Sequence, residues 1–424
     1  MLLENSTLCG HGLKGHSIRN RWNNKEWNEL ACLFIEDEKQ SENVRYLLER
    51  YQKEICNGII ICKKELHINT IKIYISDCYK EYVGQLKEQI KQQLGELGYE
   101  IIVVTNKKHF EKEVFQELTL VHHAETMLAL SRSLNKDDIP HKVITISGDV
   151  KNPGIYEIPY GITLRQIIDE YGKGIKSDKE IKFVQVGGNT GAVFTEEELD
   201  TTFEYENLMG YGTMIETAKI EVFPSDTCIV QWAVDKMLYN SKETCGKCVY
   251  CREGIYQLYK IMKDATEGKG RDGDIELSIE LSETMKTGTL CDFGKSASNP
   301  LYTSLHKFRD EFDKHIDRKV CATLSCLAYA NLYIDPNACD GCGACMDCPE
   351  KAIKGGEKLI HVIDVKACEK CGRCEAICSK KAVKRYGSIK PQLPTEPVEV
   401  GSFAAGGLDE KKGLGLGRRR RKSE

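Results

Sequence analysis

Cysteine is the residue that could do chemistry in this chain: it has 20, and fifteen of them fall after residue 227. Eight crowd into a short C-terminal stretch as two runs, Cys339, Cys342, Cys345, Cys348 and Cys368, Cys371, Cys374, Cys378. The runs belong to an internal repeat. Ile334-Asp-Pro-Asn-Ala-Cys339 returns as Ile363-Asp-Val-Lys-Ala-Cys368, 29 residues later. Two-residue gaps with Gly341, Gly343 and Gly372 between thiols let the backbone wrap an iron–sulfur cubane, as in two-cluster bacterial ferredoxins. In that pattern the fourth cysteine of each run ligates the other cluster. Cys339, Cys342, Cys345 and Cys378 are therefore assigned to one [4Fe–4S] cluster, and Cys368, Cys371, Cys374 and Cys348 to a second. Zinc is the other metal that C-x2-C pairs hold, but it favours two separated pairs over two repeated runs of four. The chain departs from the usual pattern in two places: the first run has two residues before Cys348, and Ser379 replaces the proline after Cys378.

A second constellation, Cys245-Gly-Lys-Cys248-Val-Tyr-Cys251, again offers three thiols at two-residue gaps, and Cys291 is the natural fourth ligand of a third cluster. Cys228, His315, Cys321 and Cys326 would supply the four soft or borderline donors of a closed zinc site. His306 is an alternative nitrogen donor, better read as a helix-surface residue. Cys56 and Cys62 lack ligand spacing and read as ordinary reduced thiols. Lys247, Arg252, Lys370 and Arg373 flank the ligands and would either raise cluster potentials or serve as surface charges.

These groups need elements to hold them. Trp232, Val234, Met237 and Leu238 give an apolar helical stripe before the Cys245 group, and Ile255, Leu258, Ile261 and Met262 give one after it. Val143 to Ser147 alternates as a strand, with a turn at Asn152-Pro-Gly154. Further upstream, Ile71, Ile73 and Ile75 alternate, Val83, Leu86, Ile90 and Leu94 form a helical stripe, and Ile101 to Val104 reads as a buried strand: a β-α-β unit. After Tyr386 the chain turns rich in proline and glycine and then basic at Arg418 to Lys422, a composition that predicts disorder. A formal net charge of −4 argues against nucleic acid as the main partner. No apolar run approaches the ~20 residues of a membrane span, and Met1 to Gly15 has no export-signal pattern. A cytoplasmic protein is expected, where clustered thiols bind metal rather than form disulfides.

Glu243-Thr-Cys-Gly-Lys-Cys-Val-Tyr-Cys-Arg-Glu-Gly254, Thr287-Gly-Thr-Leu-Cys291 and Leu305-His-Lys-Phe-Arg-Asp-Glu-Phe312 resemble the 51-kDa-type flavoprotein subunit of complex I. With the C-terminal cysteine runs, the chain resembles more closely the β subunits of multimeric [FeFe]-hydrogenases and NAD-linked formate dehydrogenases. Val143 to Gly161 resembles their β-grasp (SLBB) domain. The resemblance implies three [4Fe–4S] clusters, and zinc at cysteines comparable to Cys228, Cys321 and Cys326. It also implies an FMN and NADH site before residue 140, where this chain departs from the pattern. Against the family's G-R-G-G-A-G-F-P-T-G-L-K-W it has Gly10-His-Gly12-Leu-Lys-Gly15-His-Ser-Ile-Arg-Asn-Arg-Trp22, with Leu13 and Arg19 in place of two glycines. Against C-N-A-D-E-x-E it has Cys32-Leu33-Phe34-Ile35-Glu36-Asp37-Glu38, keeping both glutamates but replacing the polar flavin contacts with Leu33 and Ile35. A further glycine-rich segment is missing, and V-N-N-V-E-T has become Val121-His122-His123-Ala-Glu-Thr126. The histidine pair reads as surface or core rather than metal ligands. Gly10, Gly12, Gly15, Glu36 and Glu38 are thus remnants of a degenerate site, and bound FMN or NAD is not expected.

The expected architecture is α+β and multidomain: an eroded α/β nucleotide-binding-like domain at 1–138, an SLBB β-grasp domain at 139–222, a helical iron–sulfur domain at 223–330, a two-cluster ferredoxin domain at 331–386 and a basic tail at 387–424. The expected role is electron relay within a cytosolic redox complex, without a flavin of its own and with no catalytic residue assigned. Expected partners are a thioredoxin-like [2Fe–2S] subunit, a hydrogenase or formate dehydrogenase catalytic subunit, and ferredoxin. The alternatives are an FMN-containing NAD(P)H dehydrogenase subunit and an assembly or redox-sensing protein.

Overall fold

The computed structural model describes residues 22, 26–36, 38, 41–94, 98–105, 114, 116–134, 141–213, 218–387 and 389–403. The chain divides into two units, one made of residues 1–265 and 270–317, the other of 266–269 and 318–424.

The first unit opens with a four-stranded parallel sheet. β1 (Glu29–Phe34), β2 (Thr70–Ser76), β3 (Tyr99–Val104) and β4 (Thr119–His123) lie in the order β3-β2-β1-β4. Leu30, Cys32 and Phe34 point to one face and pack on α1 (Asn43–Arg50), α2 (Gln52–Glu65) and α4 (Ala124–Arg132), with α3 (Val83–Leu94) on the same core. Ala31, Leu33 and Ile35 point to the other face, with Tyr74, Val104, Val114 and Val121. The unbroken apolar run of β1 is what a strand covered on both sides requires. β3 corrects the expectation of a buried strand. Among the described residues it lies at the sheet edge with one neighbouring strand, and Val103 is 43% exposed.

A mixed five-stranded sheet follows, in the order β6-β5-β9-β7-β8, from β5 (His141–Gly148), β6 (Gly154–Pro159), β7 (Ile181–Val186), β8 (Ala192–Phe194) and β9 (Lys219–Pro224). Asn152-Pro-Gly154 makes the β5–β6 turn as read from sequence. Two polar clasps join this sheet to the α/β layer. Glu125 accepts the Val143 amide at 2.6 Å and pairs with buried Lys142. Arg132 bridges Glu54 at 3.1 Å and Glu157 at 2.9 Å, and Tyr51 also donates to Glu157.

The unit closes with helices α5 (Ile229–Glu243), α6 (Val249–Thr266), α7 (Asp274–Gly288), the short α8 (Asp292–Ser296), α9 (Asn299–Lys307) and α10 (Arg309–Ile316). Fully buried Asn240 of α5 donates to the carbonyls of Asn189 at 2.9 Å and Ala297 at 2.8 Å, tying the helices to the β-grasp sheet.

The second unit is built from two-stranded antiparallel pairs. β10 (Asn331–Ile334) pairs with β14 (Val383–Tyr386), and β11 (Ile353–Lys354) pairs with β13 (Val362–Ile363). β12 (Leu359–Ile360) pairs with β15 (Val398–Glu399). This last pair corrects the expectation of disorder from residue 387. Proline spaces the segment without forbidding a short edge strand, and Val398 and Glu399 supply the backbone partners that β12 would otherwise lack. The basic run from Arg418 lies outside the described residues.

Candidate metal centres

In the helical region, Cys248 immediately precedes α6, and Cys251 sits in its first turn. Gly246, at φ +79°, turns the loop between Cys245 and Cys248. Cys291 caps α8, its Sγ accepting the Gly294 amide at 3.4 Å. Cys251 is buried, Cys248 half-buried, and Cys245 and Cys291 are exposed. Burial pushes the Cys251 thiol up. The neighbouring Cys291, Cys245 and Cys248 sulfurs push it the same way, while the Thr244 hydroxyl 3.3 Å away opposes them. These are the four thiols expected to share a cluster.

The ferredoxin-like unit reproduces its sequence repeat in three dimensions. Asp335 and Asp364 take equivalent places, their amides donating 2.7 Å bonds to the carbonyls of Ala382 and Ala352. Their carboxylates accept the Asn337 and Lys366 amides, each at 3.0 Å. Gly343 and Gly372 share φ +75° and ψ −2° directly after the second cysteine of each run, a conformation that favours glycine. Cys348, Cys368, Cys371 and Cys374 line one pocket, with Leu332, Ile353 and Ile363 as its apolar wall. On the other side, Cys345 is pushed up to about 11, first by burial and then by the nearby sulfurs of Cys339, Cys374 and Cys378. Cys348 thus shares a pocket with three thiols of the opposite run, and Cys378 packs on the same apolar cluster as Cys339 and Cys345. A buried thiol with a raised pKa gives up its proton when it ligates metal, so the donor chemistry fits [4Fe–4S] clusters.

Basic residues near the ligands are engaged locally. Arg373 pairs with Asp347 at 2.7 Å, Arg252 with Glu253 at 2.8 Å, and Lys370 reaches the Ala328 carbonyl at 3.3 Å. His361 has no counterpart in the cysteine pattern, and sequence reading missed it. It is 1% exposed, and its Nδ1 lies 3.6 Å from Cys339 Sγ. The one sequence signal was its position between β12 and β13, within the repeat.

Cys228 caps α5, its Sγ accepting the Gln231 amide at 3.5 Å and lying 3.3 Å from His315 Nε2. His315 Nδ1 faces the Glu311 carbonyl at 2.7 Å. A carbonyl only accepts, so the proton is on Nδ1 and the Nε2 lone pair faces the thiol, the tautomer that metal-ligating histidines use. In the second unit Cys321 and Cys326 are both buried. His306 is exposed, with Nδ1 2.8 Å from the Tyr302 carbonyl, consistent with a surface helix position. Cys56 and Cys62 are buried free thiols of the α/β core.

In a parallel sheet of this order, ligands bind beyond the carboxyl ends of the strands, where the order reverses between β1 and β4. Leu33 and Ile35 are buried there in the apolar cluster. Glu36 accepts the Val44 amide and the Tyr79 hydroxyl, the latter at 3.3 Å, and Glu38 accepts the Asn189 amide. His122 Nε2 accepts the Trp22 indole at 3.1 Å, and His123 caps α4 by accepting the Glu125 amide at 3.2 Å. Gly10, Gly12, Leu13, Gly15 and Arg19 lie outside the described residues.

Comparison with known proteins agrees with this layout. Residues 233–315 match the NADH-ubiquinone oxidoreductase-F iron-sulfur binding region, residues 143–189 the SLBB domain and residues 331–384 the 4Fe-4S dicluster domain. The HndC subunit of the NADP-reducing hydrogenase of Solidesulfovibrio fructosivorans is 37% identical over 52% of this chain and 45% of its own length. The chain thus spans about half the length of that relative. The F 2 subunit of the NADH-quinone oxidoreductase of Rhizobium meliloti is 31% identical over 76% of this chain and 89% of its own length. An NAD+-reducing [NiFe]-hydrogenase crystal structure in the H2-reduced state shares the fold, with a TM-score of 0.64 at 22% identity, over 74% of this chain and 62% of that one. With its SLBB, iron–sulfur and dicluster regions in that order, this chain belongs to the family of the NADH-quinone oxidoreductase F subunits and their hydrogenase counterpart HndC.

Proposed function

We propose that this chain relays single electrons within a multisubunit oxidoreductase through three [4Fe–4S] clusters and binds no flavin of its own. The observation that carries the reading is the contrast between its two ends. Twelve cysteines recur at cluster-ligand spacing, while the positions matching the family's polar flavin contacts are buried Leu33 and Ile35. Neither side chain can donate or accept a hydrogen bond, and Glu36 and Glu38 are already engaged by amides of this chain.

On this reading Cys245, Cys248, Cys251 and Cys291 hold one cluster. Cys339, Cys342, Cys345 and Cys378 hold the second, and Cys368, Cys371, Cys374 and Cys348 the third. Such clusters supply one-electron chemistry, with potentials set by hydrogen bonds, charge and burial. The protein's part is to fix the sulfur positions through helix starts and left-handed turns, and to exclude water with the apolar walls around Cys345 and Cys374. Cys228, His315, Cys321 and Cys326 are the proposed ligands of a structural zinc, supported by their donor types and by the tautomer of His315. The partners proposed are a hydrogenase or formate dehydrogenase catalytic subunit and a thioredoxin-like [2Fe–2S] subunit.

The test is reduction of the anaerobically purified chain, followed by low-temperature EPR. Dithionite should generate cluster signals, and NADH alone should generate none. Rapid reduction by NADH, with dye reduction at enzymatic turnover, would favour the flavin-containing dehydrogenase instead.

A further inference from the structure

The two C-terminal cluster sites share a backbone but differ in one buried side chain. His361, between β12 and β13, places its Nδ1 3.6 Å from Cys339 Sγ, within reach for a hydrogen bond to sulfur. The ring is 1% exposed, and this is its one hydrogen-bonding contact among the described residues.

Two glycines admit it. A Cβ on Gly355 would lie 2.1 Å from the imidazole Cδ2, so the ring packs directly on that backbone. A Cβ on Gly341 would lie 2.7 Å from Lys358 Cα, so the loop leading to His361 closes over Gly341, whose carbonyl accepts the Lys358 amide at 3.3 Å. The repeat breaks at both places. Lys370 occupies the position equivalent to Gly341, two residues after Cys368. Arg385 occupies the position equivalent to Gly355 and is held by Glu375 at 2.8 Å and by the Leu324 and Ser325 carbonyls, each at 3.0 Å. Cys368, the counterpart of Cys339, accepts only the Lys370 amide, at 3.4 Å, among the described donors.

We propose that His361 is a potential-tuning residue: its Nδ1–H donates to Cys339 Sγ and makes the cluster held by Cys339 easier to reduce than its partner. The inference rests on the cluster assignment above. A ligating thiolate can only accept, so the shared proton belongs to Nδ1. Reduction adds one electron to the cluster from an external reductant, breaks no bond and leaves the imidazole proton in place. A donor aimed at sulfur stabilises the added negative charge, one of the ways proteins tune such centres.

Redox titration followed by EPR on the full chain tests this, using His361→Leu and His361→Asn beside wild type. Asn sets its amide nitrogen roughly where Nδ1 stands. H361L should keep its iron, and one C-terminal cluster should lose roughly tenfold in reduced-to-oxidised ratio at fixed potential, a shift of about 59 mV to lower potential for one electron. H361N should recover most of that shift. Unchanged potentials in H361L, or equal shifts in H361L and H361N, would overturn the tuning role. If H361L loses the cluster, wild-type protein labelled with 15N-histidine decides. Nitrogen coupling to the reduced cluster that is lost in H361N supports the contact, and no coupling refutes it. Failure of the cluster assignment is recognised separately, in wild type, as iron for one cluster only, and it overturns the inference too.

Discussion

Cys378 lies in the second cysteine run, yet the proposed ligand sets place it with Cys345 of the first. Crossed ligation therefore makes a residue-level prediction. Cys378→Ser and Cys345→Ser should abolish the same EPR signal, and Cys348→Ser and Cys371→Ser the other, each leaving about eight irons per chain. Identical losses from Cys378→Ser and Cys371→Ser would show uncrossed runs. Glu157 is the second informative residue. Burial acts to raise its pKa, but hydrogen bonds from Tyr51 and Arg132 outweigh this and hold it below the ordinary carboxylate value. A carboxylate with a lowered folded-state pKa adds stability above its unfolded pKa, near 4.3, and that stability is lost as pH falls through the folded value. Glu157→Gln should cost about 1–3 kcal/mol at neutral pH, as expected for a hydrogen-bonded charge, and should flatten the acid limb of a chemical-denaturation stability profile below about pH 4.

Among the elements, β12 and β15 make a testable pair. The Val400 amide bonds the Lys358 carbonyl at 3.0 Å, and fully buried Ile360 faces Val398. Truncation after residue 392 should expose β12, and amide exchange over 358–361 should speed up by at least tenfold while exchange in β10 and β14 stays unchanged. This element also marks where sequence reading stopped. Period-2 and helical patterns announced β2, α3, β5, α5 and α6, because each buries one face of an amphipathic segment. A two-residue strand pairing with a proline-rich tail has no period to read. β3 misled for a different reason: apolar composition does not distinguish an edge strand from a central one. The iron–sulfur regions were legible because ligand spacing is local. His361 was not, because its approach to Cys339 depends on two distant glycines making room, a fact of packing.

At the scale of the whole molecule, a parallel α/β layer and a β-grasp sheet are clasped by Glu125, Arg132 and Glu157, and Asn240 joins the sheet to the helices carrying the first thiol set. Replacing Asn240 with Leu should destabilise the first unit by about 1–3 kcal/mol, since a buried and a part-buried carbonyl lose their donor; thermal unfolding would read this as a lower Tm. Among the described residues no helix is long and apolar enough to cross a membrane. The proposed relay needs only that the thiols carry iron and that the chain binds no flavin. Joint quantification of iron and flavin in the anaerobically purified chain tests this most directly. About twelve irons per chain with no stoichiometric FMN is the predicted result, whereas one FMN per chain would contradict the account.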